Sequence, residues 1–207
     1  MKNLQSLVFD PTQCRHEWNE FSTLLKTKPK LSERKDVLPF FKKRHHLSTL
    51  ICNYFPKIIS ADRFAHEFTI YGDFIADLVI GDSKKNRYVL VEFENGAPDS
   101  IFKTKGKKAT PDWAPRFEGA YSQLVDWLWK LEDMRNTNDF RHTFGNSRAT
   151  FQGLIVIGKD MVLSPQEQDR LEWRMNKTVV DTNAISVVSF NQLEEDFDDW
   201  LTRFHRV

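Results

Sequence analysis

The stretch FIADLVIGDSKKNRYVLVEFENG, residues 74–96, decides the fold. FIADLVI (74–80) and RYVLVEFE (87–94) are rich in β-branched and aromatic residues and lack helical periodicity, while Asp82–Asn86 between them is polar. Two strands joined by a short turn predict an antiparallel hairpin. Side chains alternate faces along a strand, so Tyr88, Leu90, Glu92 and Glu94 share one face and Val89, Val91 and Phe93 the other. Two carboxylates therefore point the same way. Asp77 lies among Phe74, Ile75, Ala76, Leu78, Val79 and Ile80, where a charge requires an ion pair, a hydrogen bond or a metal. The hairpin brings Asp77 near Glu92 and Glu94.

Three carboxylates at close range repel one another and rise in pKa without a counter-charge, a conflict that a divalent cation resolves. Magnesium or manganese takes oxygen ligands, commonly one or two carboxylates with water and substrate phosphate, which suits phosphodiester hydrolysis. The competing reading of the same three residues is an ordinary sheet with one solvated polar face.

Outward from the hairpin, EFTIY (67–71) reads as a preceding strand and carries Glu67, a candidate additional carboxylate. The first sixty residues read as all-helical. CRHEWNEFSTLLK (14–26) spaces Trp18, Phe21, Leu24 and Leu25 helically, and a second helical stretch starts near Ser32 and is kinked or ended by Pro39. His45–Tyr54 resumes the pattern up to Pro56. Downstream, residues 95–112 form a loop rich in Lys, Gly and Pro, and 113–135 an amphipathic helix with Trp113, Phe117, Ala120, Leu124, Trp127, Leu128 and Leu131. Residues 136–150 read as a polar loop and LIVIG (154–158) as a buried strand. Ser164, Pro165 and Glu167 form a capping box that starts a helix. ISVVSF (185–190) is another buried strand, and Asn191 with Glu194 opens a terminal helix. The order β-β-β-α-β-α-β-α predicts an α/β fold, a mixed sheet flanked by helices (61–207) behind a helical N-terminal segment (1–60).

The chain has 207 residues, 40% hydrophobic and 29% charged, enough to bury a core. Its net charge of +1 neither demands nor excludes a nucleic-acid partner, so the distribution decides. Lys103, Lys105, Lys107 and Lys108 crowd six positions and read either as a solvated loop or as a clamp on DNA phosphates. Cys14 and Cys52 lack a CxxC spacing, which argues against a disulfide scaffold or zinc ribbon, and His45, His46 and His142 lack zinc-ligand spacing, with the His45–His46 pair placed on a helix surface. Trp127 and Trp129 cannot both face one core. The N-terminus lacks a signal-peptide pattern, and nothing approaches the ~18 apolar residues of a membrane span. A cytoplasmic protein without a membrane partner is expected.

FIADLVIGD and YVLVEFENG, followed by SIF (100–102), YSQLVDW (121–127) and LIVIGKD (154–160), together resemble the Shedu anti-phage immune nucleases of the PD-(D/E)xK, restriction-endonuclease-like superfamily. The resemblance spans about residues 62–190. It implies a restriction-endonuclease-like fold and a Mg2+- or Mn2+-dependent DNA endonuclease of bacterial phage defence, assembled as a homo-oligomer, a dimer or tetramer. Asp77 and Glu92 carry over as metal ligands. Glu94 stands where the superfamily signature has Lys, and would add a metal ligand or act as general base. Gln123, in the block resembling the family's glutamine-containing helix, becomes a candidate to hydrogen-bond a metal-bound water or a phosphate. Two other classes stay open: a catalytically silent DNA-binding or sensor module that keeps the nuclease fold, and an interaction subunit without nucleic acid.

Overall fold

The structure is a computed structural model and describes residues 3–104, 106, 110–180 and 183–207. In chain order its elements are β1 (Gln5–Ser6), α1 (Pro11–Thr27), a π-helical turn (Glu33–Val37) running into α2 (Leu38–Phe41), and α3 (His45–Leu50) with a 3-10 turn (Ile51–Tyr54). The strands β2 (Arg63–Ile70), β3 (Phe74–Asp82) and β4 (Arg87–Phe93) follow, then β5 (Phe102–Lys103), β6 (Asp112–Trp113), α4 (Pro115–Met134) and α5 (Asn138–Phe144). Then come β7 (Thr150–Val156), α6 (Pro165–Lys177), β8 (Val179–Val180), β9 (Asn183–Val188) and α7 (Phe190–Trp200), which runs into a π-helical turn (Leu201–His205).

The fold is α/β, with a mixed seven-stranded sheet in the order β1-β2-β3-β4-β7-β9-β8. The expected hairpin forms: β3 and β4 pair antiparallel, with Leu78 opposite Val91 and Ile80 opposite Val89. From β4 the sheet turns parallel, through β7 to β9. Strands buried on both faces read as continuous apolar runs, and the core accordingly lies on both sides. Leu78, Ile80, Val89, Val91 and Phe93 pack with Phe21 of α1, Phe41 of α2 and Phe197 of α7. Val79, Tyr88 and Leu90 pack on the opposite face with Phe117, Leu124 and Trp127 of α4 and with Phe140 and Phe144 of α5. The alternation along β4 is as the sequence pattern requires. Trp127 is buried and Trp129 exposed, one on each side of α4.

Four expectations need correction. Residues 136–150 are not all loop: Thr137 caps α5 by accepting from the Phe140 amide at 3.2 Å, and Phe140 and Phe144, one helical turn apart, are buried. The first sixty residues are not all helical, because Gln5 and Ser6 pair with Phe64 and Arg63 at the sheet edge. Ser189, not Asn191, caps α7 by accepting from the Gln192 amide at 3.1 Å; the Asn191 side chain instead accepts from the Asp160 amide. His45 and His46 are half-buried, His45 against the Phe64 ring and His46 accepting from the Asp10 amide.

Two local features position the site. The first is a break in the pleat. His66 opposite Leu78 and Phe68 opposite Ala76 place Glu67 opposite Asp77, and Glu67 has a left-handed backbone, φ 49°. Ala65 and Phe68, three residues apart, both face the α4-side core, as do Ala76 and Val79, a spacing that two-residue alternation forbids. Both strands shift phase on the Asp77 rung. The second feature is a strap: Leu31 and Gly96 exchange backbone hydrogen bonds of 2.9 and 3.0 Å just beyond Glu94. Any Cβ on Gly96 would sit 3.1 Å from Leu31 and from the Phe190 ring, so glycine permits the approach.

Candidate active site

The hairpin register puts Asp77 opposite Glu92, one rung beyond Leu78 and Val91. The Phe93 amide donates to Asp77 Oδ2 at 2.8 Å, tying the carboxylate across the hairpin. From α4, Gln123 Nε2 donates to Glu92 Oε1 at 3.0 Å. Glu92 and Glu94 are each only 6% exposed, and Asp77 is half-buried. Loss of hydration is the main reason that Asp77 and Glu92 both rise above the carboxylate range; Glu33 and Glu94 push in the same direction on each. The two carboxyls lie close enough to act directly on each other. Such a pair is a site of stored electrostatic repulsion.

Glu94 leaves the sheet just after β4, its amide donating to the Val156 carbonyl at 2.9 Å. Its carboxylate accepts from Arg116 Nη1 at 2.9 Å, and the same guanidinium lies 3.5 Å from Glu33. Burial still raises Glu94, with Glu33 adding to the rise and Arg116 opposing it. Glu33 reaches this point because the strap holds its backbone: the Glu33 amide donates to Asn95 Oδ1 at 2.8 Å. The electrostatic cluster thus contains a fourth carboxylate and a cation that sequence reasoning did not single out. Glu33 had no legible signal, since only the strap carries it across the chain. Arg116 did have one: it is the second residue of α4, where the helix dipole disfavours a cation and a nearby anion offsets that cost.

The other candidate residues divide. Gln123 joins the site. Glu67 stands on the Asp77 rung, but its side chain takes an ion pair from Lys42 of the loop after α2. Lys103 is exposed and lines a cavity of about 260 Å³ with Asn95, Asp99, Ser100 and Arg116. Lys105, Lys107 and Lys108 lie outside the described residues.

The donor set bears on a metal in two ways. Two adjacent carboxylates that burial drives toward neutrality, with a neutral amide donor beside them, fit the one or two carboxylates that magnesium or manganese takes alongside water. Three carboxylates do not converge: among the described residues no group of three His, Cys, Asp or Glu is placed to hold a metal ion, and Glu94 is engaged by Arg116. Cys14 and Cys52 are free, buried thiols. Among the described residues no helix is long and apolar enough to cross a membrane.

No curated protein matches the chain significantly. The family described as Shedu protein SduA, C-terminal, matches residues 30–193, starting at the strap that carries Glu33 and running through the sheet, Gln123 and α6 into α7. With this match covering most of the chain, the protein belongs to the Shedu family.

Proposed function

We infer from membership of the Shedu family a part in anti-phage defence. We propose that the chain acts there, in the cytoplasm, as a metal-dependent DNA endonuclease, and that its mixed sheet is of the restriction-endonuclease-like kind. The observation that carries this reading is the Asp77–Glu92 pair, two carboxylates packed on one rung of a hairpin at the expense of their hydration.

In this reading Asp77 and Glu92 hold Mg2+ or Mn2+, and the ion, when bound, stabilises charge on the attacked phosphate and lowers the pKa of water. The protein's own groups do the rest. The Phe93 amide fixes Asp77, and Gln123 fixes Glu92 through the oxygen that faces α4. Glu94, once Arg116 releases it, adds an oxygen ligand to that ion or takes the proton from the attacking water. Lys103, which shares a cavity with Arg116, binds phosphates of the DNA backbone, with the lysine run after residue 103 extending that clamp. The exposed Trp129 is a candidate contact between subunits of a homo-oligomer.

A second reading has its own observation. Because Arg116 already answers Glu94, the site is equally compatible with a catalytically silent DNA-binding or sensor module. Incubation of plasmid and linear DNA with Mg2+ and with Mn2+, beside Asp77→Ala and Glu92→Ala proteins, separates the two. Metal-dependent cleavage lost in both variants supports the nuclease. Salt-sensitive DNA binding without cleavage or metal binding supports the silent module.

A further inference from the structure

Resting on the metal-site reading above, we propose that Arg116 is a positioning residue that occupies Glu94 until a divalent cation arrives and then transfers to Glu33, so that the third carboxylate is held in reserve rather than missing.

Three observations carry this. Arg116 is placed between two acceptors, 2.9 Å from Glu94 and 3.5 Å from Glu33, so a small movement exchanges one partner for the other. The two ends differ in burial: the Glu94 side chain is 8% exposed and the Glu33 side chain 22%, whereas Arg116 is 53% exposed and has room to move. Finally, Arg116 sits at the N-terminus of α4, where the dipole opposes it, and among the described residues Glu94 and Glu33 are its ion-pair partners. Glu33 is in turn fixed by backbone contacts, through Asn95 and the Leu31–Gly96 bridge, and can receive the guanidinium without moving its own chain. A guanidinium satisfies a carboxylate by directional hydrogen bonds, whereas a divalent ion offers greater charge density to the same oxygen. A second carboxylate within reach of the guanidinium lowers the cost of that exchange.

The test is Mn2+ binding by titration calorimetry on full-length wild type, Arg116→Gln, Glu33→Gln and the double variant, without DNA, with circular dichroism to show that each is folded. Arg116→Gln removes the competitor and should bind Mn2+ about three- to tenfold more tightly, the range of a partly screened charged hydrogen bond. Glu33→Gln strands Arg116 on Glu94 and should weaken binding by a similar factor. In the Arg116→Gln background the Glu33→Gln effect should shrink by more than about twofold, beyond the scatter of independent sites. Equal effects in both backgrounds mean that the two charges act only as a static field, and overturn the exchange. Arg116→Gln binding no more tightly than wild type overturns it as well. Wild type that binds no Mn2+ overturns the metal site itself, and the exchange with it, an outcome distinct from the other two.

Discussion

Two carboxylate–arginine pairs meet at the first turn of α4, and they behave oppositely. Arg174 of α6 grips Glu118 with both guanidinium nitrogens, at 2.6 and 3.0 Å, and pulls its pKa down. The same guanidinium lies over the Tyr121, Trp113 and Phe117 rings at 4.3, 4.9 and 5.0 Å, so it is packed as well as paired. Arg116 grips Glu94 through one nitrogen, stays half exposed, and leaves Glu94 with a raised pKa. The difference lies in the surroundings. Among the described residues Arg174 is the charge acting on Glu118, whereas Glu94 shares its cation with Glu33 beside the buried Asp77–Glu92 pair. The first pair joins two helices; the second leaves a carboxylate short of charge compensation, which is what a cation-binding site requires.

Substitutions can break or sharpen this contrast. The largest effect is expected from Asp77→Ala or Glu92→Ala, which should slow metal-dependent DNA cleavage by about 10³-fold or more, the several kcal/mol that a lost metal ligand removes from transition-state stabilisation. Cleavage rates on plasmid that stay within tenfold of wild type would exclude these residues from the reaction. Next, Arg174→Ala should lower unfolding free energy by about 1–2 kcal/mol, since a bidentate pair and its ring contacts are lost together, against less than about 0.5 kcal/mol for Arg116→Ala. Equal shifts in denaturant midpoint would erase the distinction between the two pairs.

The third prediction concerns pH. The folded state binds protons on Glu92 more tightly than the unfolded chain does, so this group contributes stability that is full below about pH 4 and is lost progressively as pH rises from there to the folded value of about 10. Glu118 has the opposite sign: its contribution is present above the ordinary carboxylate range and is lost on acidification. Glu92→Gln should therefore stabilise the metal-free protein at pH 8 by about 1–2 kcal/mol, and the gain should fade toward pH 4 while cleavage is lost. Thermal melts of wild type and variant at both pH values check it, and a gain that is constant with pH would refute the assignment. The smallest effect is at Lys103, where Ala should reduce the slope of log affinity for DNA against log salt by about 1 without altering sequence preference. An unchanged slope would leave Lys103 outside the DNA contact.

The contrast also explains what could be read beforehand. The Asp77–Glu92 rung was legible because a hairpin's alternation is a local rule: a polar turn between two apolar runs fixes the register, and the register sets which side chains face each other. The Ser164 capping box was legible for the same reason, and both of its hydrogen bonds form. Helix α5 was missed because its polar composition outweighs two buried phenylalanines whose value depends on the sheet they cover. Glu67, a candidate carboxylate on the preceding strand, pairs with Lys42, a partner that no local window contains because it comes from a loop 25 residues earlier.

Sequence alone, then, determined the hairpin, the facing carboxylates and the helix that supplies Gln123, because each depends on periodicities of two or 3.6 residues that a short window contains. Tertiary structure alone decided that Glu33 and Arg116 belong to the same cluster and that Glu94 is held apart from the Asp77–Glu92 pair. Residues 33, 94 and 116 meet through a strap and a helix start whose separations along the chain obey no period. Burial, which sets the pKa values of all three site carboxylates, is likewise a property of the assembled layers and of no segment by itself.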